Sequence, residues 1–150
     1  LSRFDGVGSP RDLTAAISYL QKSPSTYSAL YAFLAAMEQG KREEALTALR
    51  LHRTKQAPKA WEATLTAFCL GELSEAQLLA EVPKGENEKR RAARRCEATF
   101  YAGAIQLVNG RTSEAKALLL ECLDTSATTY IEYRSAKAML KRIDRSARQQ

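Results

Sequence analysis

Catalysis or metal binding in this chain would have to draw on one histidine, three cysteines and 17 Asp and Glu side chains. His52 stands alone, which rules out a multi-histidine metal site and a histidine-based nucleophile pair with a second imidazole. It reads as a solvated or packing residue. Cys69, Cys96 and Cys122 are odd in number and widely spaced, so they make neither a disulfide framework nor a metal-ligand pattern. They read as small buried apolar groups. Cys96 and Cys122 can pair only if two packed helices bring them together. Neighbouring carboxylates such as Glu43 and Glu44 read as solvated helix charges. The stretch GKREEA, from Gly40, lacks the second glycine and the Lys-Ser/Thr pair of a phosphate-binding loop. These residues point away from an enzyme, and no cofactor or metal is expected.

Charge is more informative. The formal net charge is +6, and it is concentrated. Residues 84–95 carry six basic and two acidic side chains, and residues 134–148 carry six basic and one acidic. Lys89, Arg90, Arg91, Arg94 and Arg95 form a candidate patch for an acidic protein, a phospholipid headgroup or nucleic acid. The plainer alternative is a solvated helix start and a basic tail. Nucleic acid is the weakest of the three because no aromatic residue is interleaved with the arginines. Arginines in the first turns of a helix also oppose its dipole, which favours a functional reading of the cluster.

The elements that must position these residues read as helices throughout. Alanine, leucine, lysine, arginine and glutamate are abundant, proline is scarce and alternating β-branched runs are absent, a helix-favouring composition. Hydrophobic residues at 45% and charged residues at 27% suit one globular domain over residues 1–150. No apolar run approaches the roughly 20 residues of a membrane span, and the start, LSRFDGVGSPRDL, lacks a signal peptide's apolar stretch.

Ser9-Pro10 starts a first helix carrying Leu13, Ala16, Ile17 and Leu20. Ser23-Pro24 precedes a second with Tyr27, Leu30, Tyr31, Leu34 and Met37. A third covers about Arg42–Arg53. Pro58 opens the next, with Trp61, Leu65 and Phe68, and a short one with Leu78 and Leu79 stops at Pro83. The stretch PKGENEKRR reads as a loop. A long helix then reaches Asn109, followed by helices over about Ser113–Leu123 and Thr129–Ser146. Eight helices with short connections and no strand signal make an all-α architecture.

Three segments share one pattern, Gly-x-x-x-Glu-Ala, starting at Gly40, Gly71 and Gly110. Each glycine lies between two helices, where it can adopt the left-handed cap conformation. The following glutamate suits a helix N-terminus, and the alanine is small enough to let antiparallel helices cross closely. The glycines are 31 and 39 residues apart, periods typical of helical-hairpin repeats.

With compact residues before each glycine (Ala29, Ala32 and Ala36; Ala60, Ala63 and Ala67; Thr99, Ala102 and Gly103), the chain resembles the bacterial tetratricopeptide repeat over about Thr26–Leu123. The resemblance implies a right-handed α-solenoid of three helix pairs, at about 26–56, 57–83 and 96–126. A leading helix would precede them, and a capping helix at about 129–147 would seal the end. It also implies a concave groove lined by the first helices. Mapped here, the groove carries Leu30, Leu34, Met37, Trp61, Leu65, Phe68, Phe100 and Leu107. The expected function is a non-catalytic scaffold that binds a peptide or protein partner by apolar anchors inside a basic rim. The alternative is a binder of acidic ligands through the Lys84–Arg95 and C-terminal basic segments. An open apolar stripe would also favour a homodimer. The groove would instead be closed if Tyr130, Tyr133 and the last helix cover it. The compartment stays open between bacterial cytoplasm and periplasm, with lipoprotein attachment if an N-terminal segment has been removed.

Overall fold

The structure, a computed structural model, describes residues 25–149. The helix expected around Leu13–Leu20 lies outside the described residues. Within them the chain is all-α, with no strand. The helices are α1 (Thr26–Glu38), α2 (Arg42–Lys55), α3 (Ala60–Cys69), α4 (Glu75–Ala80), α5 (Glu88–Val108), α6 (Thr112–Asp124) and α7 (Ile131–Arg148), with a 3-10 turn at Val82–Lys84 between α4 and α5.

Side chains start three of these helices. Ser25 and Ser28 bond reciprocally at the head of α1, and Ser74 and Gln77 do the same for α4. Each pair satisfies backbone donors that the first helical turn leaves free. Asn87 accepts from the Arg90 backbone N–H at 2.9 Å. That cap starts α5 at Glu88, inside the stretch read from sequence as a loop. Lys89, Arg90 and Arg91 are therefore helical.

The three repeat glycines end α1, α3 and α5 in one geometry. Gly40, Gly71 and Gly110 have φ of +78°, +82° and +81°. At each, the glycine N–H bonds back three residues and the next N–H bonds back five, as in Gly110 to Leu107 at 3.0 Å and Arg111 to Gln106 at 2.9 Å. This is the Schellman motif, which satisfies the last free carbonyls of a helix. Left-handed backbone costs an L-residue about 1–2 kcal/mol. Gly110→Ala is accordingly expected to lower stability by about that amount, read as a lower chemical-denaturation midpoint with an unchanged slope.

Past the glycine the three segments diverge. Ala45 and Ala115 are buried, whereas Ala76 is exposed. The cause is Ser74: by capping α4 it delays the helix start, so Ala76 falls on a different face. Glu75 stays in the first turn of α4, as expected, and also accepts from Gln106 Nε2 of α5 at 3.2 Å.

Helices α1 and α2, α3 and α4, and α5 and α6 pack as neighbours, while α1, α3 and α5 touch one another. Helices α5 and α6 cross closely at Gly103. A Cβ at Gly103 would lie 3.0 Å from Cγ and Cδ2 of Leu119 and 3.3 Å from the Ala115 carbonyl oxygen. A buried leucine has no room to yield there. The last helix, α7, packs on α5 and α6 through Ala136, Met139, Leu140 and Ile143. It also reaches α1: Tyr31 Oη and Ser135 Oγ are 2.9 Å apart, and Arg142 pairs with Glu38 at 3.4 Å. No described helix is long and apolar enough to cross a membrane.

Candidate functional site

The expected apolar groove is not open. Leu30, Leu65 and Phe100 are 0% exposed, Leu34 and Met37 are buried with them, and Trp61, Phe68 and Leu107 pack half-buried against this core. The residues mapped as groove anchors thus belong to the hydrophobic core or pack against it. Among the described residues the large apolar side chains exposed to water are Leu51 and Leu120, neither of them on that stripe. Of the eight anchors, Trp61 lines the cavity between α1, α3, α5 and α7.

That cavity holds about 620 Å³ and opens where α1, α3, α5 and the start of α7 converge. Its aromatic walls are Tyr27, Trp61 and Tyr130, with Ile131 beside them. Its deepest polar groups are Glu97 of α5 and Glu132 of α7, at 6% and 2% exposure. Glu97 Oε1 accepts from Tyr27 Oη at 2.6 Å and from Trp61 Nε1 at 2.9 Å. One carboxylate oxygen therefore ties α1, α3 and α5 together. Glu132 Oε2 accepts from Tyr101 Oη at 2.9 Å.

Burial pushes both carboxyls toward their protonated forms. For Glu97 the bonds from Tyr27 and Trp61 favour the ionised form and oppose burial without overcoming it. For Glu132, burial leads and the neighbouring Glu97 adds to it. Its own backbone N–H and Tyr101 offset part, leaving the carboxyl at about 8. The Tyr27 hydroxyl is pushed far above its ordinary value by burial first and by Glu97 second. A carboxyl held protonated serves as a hydrogen-bond donor instead of an anion.

The mouth is cationic. Lys59 of α3, Arg90 of α5 and Arg134 of α7 line it, and none makes an ion pair among the described residues. Arg94 lies over the Trp61 ring at 4.9 Å and donates to the Glu81 carbonyl at 2.9 Å. Glu62 and Glu86 complete the rim.

The five-residue basic patch read from sequence is therefore divided by the helix. Arg90 and Arg94 share the cavity face. Arg91 turns away and donates to the Gly85 carbonyl at 3.1 Å. Lys89 and Arg95 are exposed elsewhere on the helix. Arg91 and Arg94 also answer the dipole argument: they oppose the α5 dipole because they fasten the preceding turn, a structural role.

His52 Nε2 lies 3.5 Å from Thr26 Oγ1, a packing position. The α5–α6 crossing does bring Cys96 and Cys122 together, with sulfurs 3.5 Å apart, as buried free thiols. Among the described residues no three metal-capable side chains converge.

Sequence reasoning passed over Glu97, Glu132 and Lys59, and it named Tyr27 only as a helix residue, Tyr130 only as a cover for the groove and Arg134 only within the C-terminal basic segment. A signal existed for the acids: Glu97 stands within CEATFYAGA and Glu132 within YIEY, single carboxylates in runs of apolar and aromatic residues. Such a residue on a core-facing turn must be buried and hydrogen-bonded.

Comparison with known proteins returns no family model, no curated protein and no solved structure that matches the chain.

Proposed function

We propose that the chain is a non-catalytic binding module that holds a peptide or protein segment in the cavity between α1, α3, α5 and α7. In this reading α1–α2, α3–α4 and α5–α6 are tetratricopeptide-type helix pairs stacked in a right-handed solenoid, with α7 as the cap. Three identical Schellman turns and the Gly103 crossing support that arrangement.

The observation that carries the functional reading is the cavity itself. About 620 Å³ of concave space, with a Trp and two Tyr on its walls and three cations without ion-pair partners among the described residues at its mouth, lies within the size range of ligand sites. Half-buried aromatic residues with guanidinium groups beside them are the commonest energetic anchors of interfaces. The two protonation-prone carboxyls fit a structural role, because each accepts a hydrogen bond from another helix.

Panning a random peptide library on phage tests this. Enriched peptides are expected to bind in the micromolar range and to lose about tenfold or more in affinity with Trp61→Ala or with the double change Arg90→Glu and Arg134→Glu. Arg111→Glu, at the exposed head of α6, is expected to leave binding unchanged. Peptides that bind all these variants equally, or no enrichment over an empty support, would remove the proposal.

A further inference from the structure

Helix α7 carries a row of basic side chains on its exposed face. Arg134, Lys137, Lys141, Arg145 and Arg148 recur three and four residues apart, which puts them on one face. All five are exposed, and the opposite face, with Ser135, Met139 and Ile143, is buried. At 1.5 Å per residue the stripe runs about 21 Å. The one acid in this stretch, Asp144, sits at its edge and pairs with Lys116 at 3.3 Å. Like charges at these spacings repel. Lysine and arginine near a helix C-terminus complement its dipole, which accounts for Arg145 and Arg148, but Arg134 and Lys137 lie toward the wrong end. Arg134 also belongs to the cavity mouth, beside Arg90 and Lys59. Stripe and cavity are thus one continuous surface.

Building on the binding-module reading above, we propose that the partner is an acidic peptide segment. An apolar or aromatic residue of it enters the cavity beside Trp61 and Tyr130, and its carboxylates run along α7 from Arg134 to Arg148. Charge complementarity selects this occupant: a row of cations steers and registers a row of anions. A single-stranded nucleic acid fits less well, because the stripe presents no ring on which bases could stack.

The chain has one Trp, and it lines the cavity, so its fluorescence reports occupancy. The probe is an acetylated, amidated peptide of about eight residues, enough to cover the stripe in extended form, with one terminal phenylalanine followed by mixed glutamate and aspartate. It is titrated against the whole chain at low and moderate salt. The expected result is a Trp61 emission change that saturates, and an affinity that falls about tenfold or more as salt rises or when Lys137→Glu and Lys141→Glu are combined. The same loss is expected when the peptide acids become glutamine and asparagine. Equal binding of that amide peptide would overturn the acidic partner while leaving the cavity reading intact. Unchanged affinity in the charge-reversed helix would overturn the path along α7. An oligothymidylate that displaces the peptide and binds more tightly would overturn it in favour of nucleic acid. If neither peptide perturbs Trp61, this proposal fails, and the phage selection separately decides whether the cavity binds any peptide.

Discussion

Phe100→Ala is expected to remove about 3–5 kcal/mol of folding stability, a large share of the roughly 5–15 kcal/mol that holds a small domain together. Phe100 is fully buried and stacks on Tyr31 at 5.6 Å between ring centroids, with the planes 17° apart. Tyr101 meets the same ring edge-on at 5.0 Å and meets Tyr31 edge-on at 6.1 Å. The triplet is more than apolar filling. Tyr31 continues to Ser135 and Tyr101 to Glu132, both on α7. Truncating Phe100 opens a cavity beneath two tyrosines whose hydroxyls need those partners, so the site cannot collapse freely. Guanidinium unfolding monitored by circular dichroism checks this, with the transition moving to lower denaturant. The fraction that remains folded is expected to bind peptide as the parent does, because Phe100 does not line the cavity. A variant of unaltered stability that had lost binding would return Phe100 to the exposed-groove role inferred from sequence.

Glu132→Gln is expected to act in the opposite direction and to do so only above acidic pH. In the unfolded chain the Glu132 carboxyl ionises near 4.5, while in the fold burial raises it to about 8. Between those values the folded state keeps a proton that the unfolded state has released, so stability falls as pH rises. Over a gap of that size the loss is on the order of 3–5 kcal/mol, complete near pH 8 and absent below about pH 4.5. Glu97 is raised for the same reason and adds to the slope. At higher pH the buried Cys69 thiol, pushed up to about 12 by burial, and Tyr31 and Tyr101 extend it with the same sign. Glutamine at 132 keeps an oxygen for the Tyr101 hydroxyl but has no charge to desolvate. Urea unfolding of parent and variant from pH 5 to 8 should show the parent weakening while the variant stays flatter and becomes the more stable of the two by pH 8. A parent whose stability did not change across that range would mean that Glu132 ionises at no cost in the fold.

These two residues show how unevenly the molecule could be read. Phe100 was visible as an apolar residue at helical spacing, yet its neighbours in sequence could not say whether it faced water or core. Glu132 drew no notice in the sequence, although it stands in the first turn of a helix. It is enclosed, because Tyr101 and Glu97 arrive from a helix thirty residues away. The arginine cluster was read as one patch, but a helix distributes consecutive residues around its axis, and only Arg90 and Arg94 share the face that meets α3 and α7.

What the amino-acid order determined by itself was local: an all-helical chain, the left-handed turns at Gly40, Gly71 and Gly110, and the serine and proline punctuation between elements. Those features depend on backbone sterics and on hydrogen bonds within a few residues, so spacing alone encodes them. Helix docking decided the rest. Docking put Leu30, Leu34 and Phe100 in the core. It also brought Tyr27, Trp61, Glu97 and Glu132, from four separate helices, around one cavity. Periodicity marks a helix as having an apolar side but not which partner will cover it, and burial is a property of that pairing.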